Sequence, residues 1–497
     1  MKFIRFQGII MTSFFLLIMW NFSASGQESK KMLTLAEAIE LAKKQSPDAL
    51  MAKHKFRASY WQYRSFQASY LPSLILAGSL PTYNKSIRTV TTTDGDVFSA
   101  FTQNSLYAGL SLNQKVGFTG GDISLNTNLQ RLDNIKTDTT YYSYNATLIN
   151  IAYRQPLFKY NSYRWNRKLE PMLYNEARKT YLENMEQVSL DATNFFFNLL
   201  VAQINEKIAR INLANYDTLY KIAQGRYNLG KIAENDLLQL ELQFLRAGSA
   251  LKDAELEVEN QLFRFKSYLR LTEDISFELF APDKIKPFTV IAAKAIEEAR
   301  INNPQSLSFS RRLMEAESEV AQAKFDGRFD AEIFAVYGLS NETEEITSLN
   351  SDPFNDQRLE LGISLPLLDW GVARGKIKMA ESNQEIVRTT VEQEQIDFDQ
   401  EIFLKVARFN MQFDQVNISA RADTVAQKGY DITKARYLIG KISITDLNIA
   451  QAEADNSKGN YINALWTYWR SYYDIRRLTL FDFEQNLPIM VDYKELL

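Results

Sequence analysis

The chain has no cysteine, and His54 is the one histidine among its 497 residues. Without cysteine there is no disulfide, no thiolate nucleophile or metal ligand, and no lipidated N-terminal cysteine. A single histidine removes His-based triads and the usual zinc sites, and His54, on a helical pattern, is expected to be structural. A paired-carboxylate hydrolase passes this filter, but the 60 acidic residues are spread along helical patterns. There is no phosphate-cradling glycine loop, no dinucleotide turn and no basic excess, the formal net charge being −3, which argues against nucleotide chemistry and nucleic-acid binding. No catalytic residue, metal or cofactor is expected, and the chain does not read as an enzyme.

Long apolar runs are also missing, with one exception. Lys2 and Arg5 precede an apolar stretch from Ile9 to Trp20, and Ser23, Ala24, Ser25 and Gly26 supply small residues for cleavage. Residues 1–26 therefore read as a secretory signal, too short and wrongly flanked for a retained membrane helix. Its removal takes away two positive charges and leaves a net charge of about −5. Later stretches fall short of the roughly 20 apolar residues of a spanning helix, so any membrane crossing must use β-strands.

Proline and glycine are scarce where they matter. No proline lies between Pro171 and Pro282 or between Pro366 and Pro488, and the first interval holds only Gly225, Gly230 and Gly248. Beyond Gly230, Leu237, Leu240, Phe244, Ala247, Leu251, Ala254 and Val258 alternate spacings of three and four, a coiled-coil seam kept for three heptads. Some 60 residues leading into that turn lack a strong breaker, and a continuous helix of that length reaches ~90–100 Å. Compact globular domains do not need such helices.

What the chain does have, it has twice. Arg226-Tyr-Asn-Leu-Gly230 through Asp236-Leu recurs as Arg436-Tyr-Leu-Ile-Gly440 through Asp446-Leu, 210 residues on. Pro156-Leu157 and Arg164 match Pro366-Leu367 and Arg374 at the same offset. Ala38-Ile39-Glu40, Pro47 and Leu50 match Ala295-Ile296-Glu297, Pro304 and Leu307 at an offset of 257. The chain is thus a tandem duplication, residues 27–285 and 286–497, and the first copy holds 47 residues more than the second. Two copies are too few for a stacked solenoid, so the pseudo-symmetry points to completion by oligomerisation.

Both copies read alike. In the first, a helix over 33–70, with Thr34 and Glu37 placed as a capping box and a break near Pro47, precedes a strand region, 72–158. Helices follow over 164–229 and 234–272. In the second, a helix over 293–325 running past Pro304 precedes a strand hairpin over 330–368, then helices over 372–438 and 444–480. Period-two alternation marks Leu106 to Leu112, Ile123 to Leu129, Thr147 to Arg154 and, more weakly, Leu74 to Leu80, against a single pair in the second copy, Ile333 to Leu339 and Leu359 to Leu365. Alternating segments of about ten residues joined by polar loops suit an outer-membrane barrel, although a soluble sheet with one wet face alternates too. Tyr70, Tyr107, Tyr142 and Tyr144 fit an interfacial girdle.

Over about Lys31 to Leu480 the chain resembles the TolC-like outer-membrane factor family. The doubled Arg-Tyr-x-x-Gly-x-x-x-x-x-Asp-Leu turn carries the resemblance, with the doubled x-Pro-Leu and Ala-Ile-Glu motifs in the same order. The resemblance implies an α+β membrane protein of the cell outer membrane that extends into the periplasm. It would be a homotrimer whose protomers each give four strands to a 12-stranded barrel, continued by a long α-helical coiled-coil periplasmic tunnel. The implied function is the passive exit duct of a tripartite efflux pump or type I secretion system. Its partners would be a periplasmic adaptor protein, through it an inner-membrane pump, and outer-membrane lipid. By the same resemblance Asp236 and Asp446, with Glu234 beside them, match positions lining the closed pore entrance. Leu229, Gly230, Lys231, Ile439, Gly440 and Lys441 match adaptor-docking turns. The residues alone leave plainer roles open, the aspartates as helix caps and the glycines as helix closers. The 47 additional residues depart from the family pattern and suggest a longer extracellular hairpin or a small extra sheet. The competing function is a structural or adhesive coiled-coil envelope protein, which would not need two equivalent tips.

Overall fold

A computed structural model describes residues 31–93, 95–136, 139–271, 277–282 and 285–497. The secretory segment, residues 1–26, lies outside the described residues. The chain divides into two units: residues 54–181, 299–401 and 492–497, and the remaining described residues, within 1–53, 182–298 and 402–491. Among the described residues no helix is long and apolar enough to cross a membrane.

Strand β1 (Lys31–Leu33) opens the described chain and pairs in parallel with β6 (Phe277–Leu279). Thr34 then caps helix α1 (Leu35–Gln45), its hydroxyl accepting from the Glu37 amide while the Glu37 carboxylate accepts from the Thr34 amide. Ser46 has an extended backbone and Pro47 begins a separate helix, α2 (Pro47–Ala68). The residue before a proline is pushed out of the helical region, and proline fits the first position of a new helix.

The same rule corrects the reading of the second copy as one helix through Pro304. Two helices stand there, α5 (Ala292–Asn302) and α6 (Pro304–Asp326), with the Asn303 side chain accepting from the Gln305 amide at 2.8 Å. The long helices are α3 (Ser162–Asn228) and α7 (Val372–Leu438), of 67 residues each, followed across tight turns by α4 (Glu234–Tyr268) and α8 (Ile444–Thr479).

Six of the strands form one sheet with neighbours in the order β2-β3-β4-β5-β7-β8, antiparallel throughout. They are β2 (Ser73–Thr92), β3 (Gly95–Val116), β4 (Gly121–Ile135), β5 (Thr140–Leu157), β7 (Asp330–Thr343) and β8 (Phe354–Ser364). The first copy supplies four and the second two, all in one ladder. Among the described residues the expected small extra sheet is not found: the additional residues are woven into the same ladder, which holds six strands where the resemblance implies four. Strand β2 runs far beyond the alternation at Leu74 to Leu80, crossing Pro81 at a register shift between Ser79 and Thr82. An edge strand tolerates proline because the missing amide faces no neighbour.

Residues opposite one another on paired strands share a face. One row across the sheet is Leu74, Leu112, Leu125, Ile151 and Tyr337, all exposed. The adjacent row on the opposite face is Ile75, Ser111, Asn126, Asn150 and Gly338, in which the Asn126 amide donates to Asn150 at 2.9 Å. One face of the sheet is apolar and exposed over most of its extent, covered near Ala146 by Ile346 and Leu349 of the segment between β7 and β8; the other is largely polar. Tyr142 and Tyr144 sit on the apolar side beyond the leucines, where Arg131 lies over the Tyr142 ring. Tyr107 faces the polar side, its ring across Gly109, where an added Cβ would meet the phenol oxygen.

Candidate functional site: the paired helix tips

Both long hairpins turn in the same way, for a reason the backbone makes plain. After α3 the Gly230 amide donates to Tyr227 O at 2.8 Å and the Lys231 amide to Arg226 O at 2.9 Å. After α7 the Gly440 amide donates to Tyr437 O at 2.9 Å and the Lys441 amide to Arg436 O at 3.0 Å. Each pair is a Schellman closure, which needs a left-handed residue at the position after the cap. Gly230 and Gly440 supply it with φ of +65° and +76°. An added Cβ would meet nothing within 4 Å at either position, so it is the backbone angle, not crowding, that calls for glycine.

The residues flanking the glycines are presented outward. Leu229 is 73 % exposed and Ile439 66 %, and Lys231 and Lys441 are exposed beside them. Just inside, Leu219, Ala223, Leu240, Tyr430, Tyr437, Ile444 and Leu447 form one buried cluster covered by Ile232 and Ile442. The two tips are thus halves of a shared core. Arg226 ties them further by donating from the end of α3 to the Leu438 carbonyl.

The acidic candidates part company here. Neither aspartate is an N-cap: the caps are Ala233 and Ser443, and the aspartates stand three residues later. Ser443 has a hydroxyl, so Asp446 completes a capping box, its carboxylate accepting from the Ser443 amide at 3.2 Å and hydroxyl at 2.8 Å. Ala233 has none, and no side-chain cap forms there. Asp236 is half-buried and acts on Tyr437, whose phenol is pushed up by burial first and by Asp236 as well, with Arg226 opposing. Glu234 is exposed in the first turn of α4. His54 is exposed on α2.

A polar layer that the motifs gave no cue for lies in the same bundle. Asn212 donates to Asp455 at 2.8 Å, and Gln451 donates to Asn212 at 2.8 Å and to Asp455 at 3.1 Å. Asn215 donates to the Tyr430 hydroxyl at 3.2 Å and accepts from Lys434 at 2.7 Å. Burial pushes the Asp455 carboxyl up, against the donations from Asn212 and Gln451.

The seam read from Leu237 to Val258 faces inward, with Leu240, Ala247 and Leu251 buried and Phe244 stacked on Tyr220. A second stripe on α4 is bare: Leu238, Leu242, Leu245, Leu256 and Phe263. Helix α7 has its own at strict seven-residue steps, Leu404, Met411, Ile418, Val425 and Ile432, reaching Ile439 at the tip, all exposed.

Residues 38–269 and 295–479 match the family described as outer membrane efflux protein, which takes in both tips. The chain belongs to that family. It is a protein of the outer membrane and of transport, and TolC-like. The outer membrane protein TolC of Salmonella enteritidis is 22 % identical over 335 residues, 65 % of this chain and 67 % of that one. Among solved structures, the Campylobacter jejuni CmeC outer membrane channel superposes with a TM-score of 0.64 at 15 % identity, covering 95 % of this chain and 93 % of that one. The outer membrane protein VceC of Vibrio cholerae does so with 0.62 at 14 % identity, covering 92 % and 97 %.

Proposed function

We propose that this family member is the passive outer-membrane exit duct of a tripartite efflux pump or type I secretion system. Three copies would join their sheets into one barrel and their helices into a periplasmic tunnel, each copy contributing two tandem repeats, residues 27–285 and 286–497, after loss of residues 1–26. The observation that carries the reading is the bare heptad stripe on α7, with its counterpart on α4. Apolar residues repeated every seventh position along a helix pack against a partner helix, and one protomer leaves them uncovered. Other copies of the same chain supply the cover. A duct of this kind makes and breaks no covalent bond; it offers water a path, and its control lies where the tips converge.

There, Asp236, Asp446 and Glu234 would repeat threefold as an acidic entrance ring favouring cations. The exposed Leu229-Gly230-Lys231 and Ile439-Gly440-Lys441 turns would receive a periplasmic adaptor, and through it an inner-membrane pump. Mass measurement in detergent tests the assembly. Wild type runs as a trimer, and Ile418→Glu combined with Val425→Glu disperses it. A folded wild-type monomer, or an undisturbed mutant trimer, overturns the reading.

A further inference from the structure

The first copy's additional hairpin is not an appendage. The turn between β3 and β4, residues 117–120, is held at the end of the sheet where the helices enter and leave. Asn161, just ahead of α3, donates to Phe118 O at 3.2 Å, and Gln155 on β5 donates to Thr119 O at 3.0 Å. Gln114 on β3 donates to Tyr70 O at 2.8 Å, just past α2, and the Tyr70 hydroxyl donates to Tyr163 O at 3.0 Å. From that turn β3 and β4 run 22 and 15 residues away from the helices. Either exceeds the roughly 9–11 residues of a membrane-spanning strand.

The two strands are also patterned like their neighbours. Leu110 and Leu112 on β3, and Ile123 and Leu125 on β4, share the exposed apolar face with Leu74 and Leu76 of β2, Ile151 of β5 and Leu359 and Leu361 of β8. On the other face stand Ser111, Asn113, Ser124 and Asn126. Apolar on one side and polar on the other is what a barrel strand needs between lipid and lumen. A hairpin projecting into water would have no use for the apolar row.

We propose that all six strands of each protomer span the outer membrane, so that the trimer closes an 18-stranded barrel. The proposal rests on the trimeric reading above. The sheet edges are β2 and β8, exposed along nearly their whole length. Every neighbouring pair being antiparallel, β2 and β8 run in opposite senses, so β8 of one copy meets β2 of the next in antiparallel pairing. In lipid the unpaired amides and carbonyls of those edges must find such a partner. With strands ~4.8 Å apart and tilted ~40°, eighteen strands close on a backbone circle about 36 Å across, against about 24 Å for twelve. The barrel would accordingly be the wide part of the duct, passing bulkier cargo than twelve strands could.

The natural absence of cysteine makes the test direct. Single variants Leu110→Cys and Leu125→Cys on the apolar face, and Ser111→Cys and Asn126→Cys on the polar face, are treated in intact outer membranes with a membrane-impermeant charged maleimide. The polar-face pair is expected to react and the apolar-face pair to stay protected until the membrane is dissolved in denaturing detergent. Paired variants with one cysteine at Leu74 or Leu76 and one at Leu359 or Leu361 are expected to oxidise to a covalently closed trimer. Trimer with all four single sites reacting alike, or with no β2–β8 cross-link at any pair, overturns the 18-stranded barrel and leaves the trimer standing. A monomer in every variant and in the wild type sinks the trimer itself.

Discussion

Ser443 and Asp446 satisfy each other across the start of α8: the Asp446 amide donates to the Ser443 hydroxyl at 3.2 Å, and that hydroxyl donates to the Asp446 carboxylate at 2.8 Å. The duplicate pair, Ala233 and Asp236, has no such exchange. Capping and pore roles therefore separate by mutation. Ser443→Ala and Asp446→Ala each cost about 1 kcal/mol of stability, seen as a lower melting temperature, while Asp236→Ala does not. In planar-bilayer recordings, Asp236→Ala and Asp446→Ala weaken cation preference and multivalent-cation block, while Ser443→Ala leaves both unchanged. Wild-type selectivity in both aspartate variants removes the acidic ring.

The glycines are tested by a residue that tolerates their angle. A Cβ at Gly230 or Gly440 costs about 1–2 kcal/mol because φ is positive, and asparagine bears such angles better. Gly230→Asn and Gly440→Asn keep the closure and the trimer but put a side chain where an adaptor would approach. Export in efflux assays falls at normal trimer abundance. Unchanged export at that abundance removes docking at these turns.

A buried charge cluster gives a third prediction. Glu186, nearly inaccessible, accepts from Arg476 at 2.9 Å and Lys43 at 3.1 Å, and Arg476 also reaches Asp482 at 2.6 Å. Burial pulls the Arg476 guanidinium down, but Glu186 and Tyr472 more than offset it and the group is held above its ordinary value. Glu186→Ala costs about 3–5 kcal/mol, because it leaves the guanidinium buried and underpaired, while joint replacement of Glu186 and Arg476 by leucine and methionine costs less. Denaturant midpoints of the single and double variants check the order.

Two carboxylates of the helical unit answer pH with opposite signs. Burial raises Asp455, so its contribution is present below the ordinary 3.8 and is lost as pH rises through the raised value. Burial also pushes Asp474 up, but the donations of Lys405 and Arg477 prevail and its pKa is lowered. Its contribution is present above 3.8 and is lost as pH falls through the lowered value. From neutral pH down towards 4, wild type gains melting temperature relative to Asp455→Asn. Below that, it loses melting temperature relative to Asp474→Asn. Parallel curves in either window refute that assignment.

Repetition made the tips legible in the sequence. Gly230 recurs as Gly440 because a Schellman closure demands a left-handed residue each time, and Arg226 and Asp236 recur with it at fixed spacing. The differences between the copies were not legible in that way. Ala233 against Ser443 decides which aspartate completes a capping box, and only geometry shows Arg226 crossing to Leu438 O. Strand β2 was readable to Leu80, where alternation stops. Its polar continuation from Thr82 to Thr92 looks like loop, and pairing with β3 keeps it extended. The bare stripe of α7 went unread because a second apolar set, Ile402, Val406, Phe409 and Val416, is buried and interleaves with it, so the seven-residue spacing surfaces only with the inward face identified.

The placement of β3 and β4 between β2 and β5 has a consequence of parity. The chain comes up from α2 and must go back down into α3, so any growth in the first copy has to come in whole hairpins; a single added strand would leave the helix start on the wrong side of the membrane. Under threefold symmetry each such gain is multiplied by three. In the barrel proposed above, the circumference is then quantised in steps of six strands, and one inserted hairpin carries it from twelve strands to eighteen without a misthreaded intermediate.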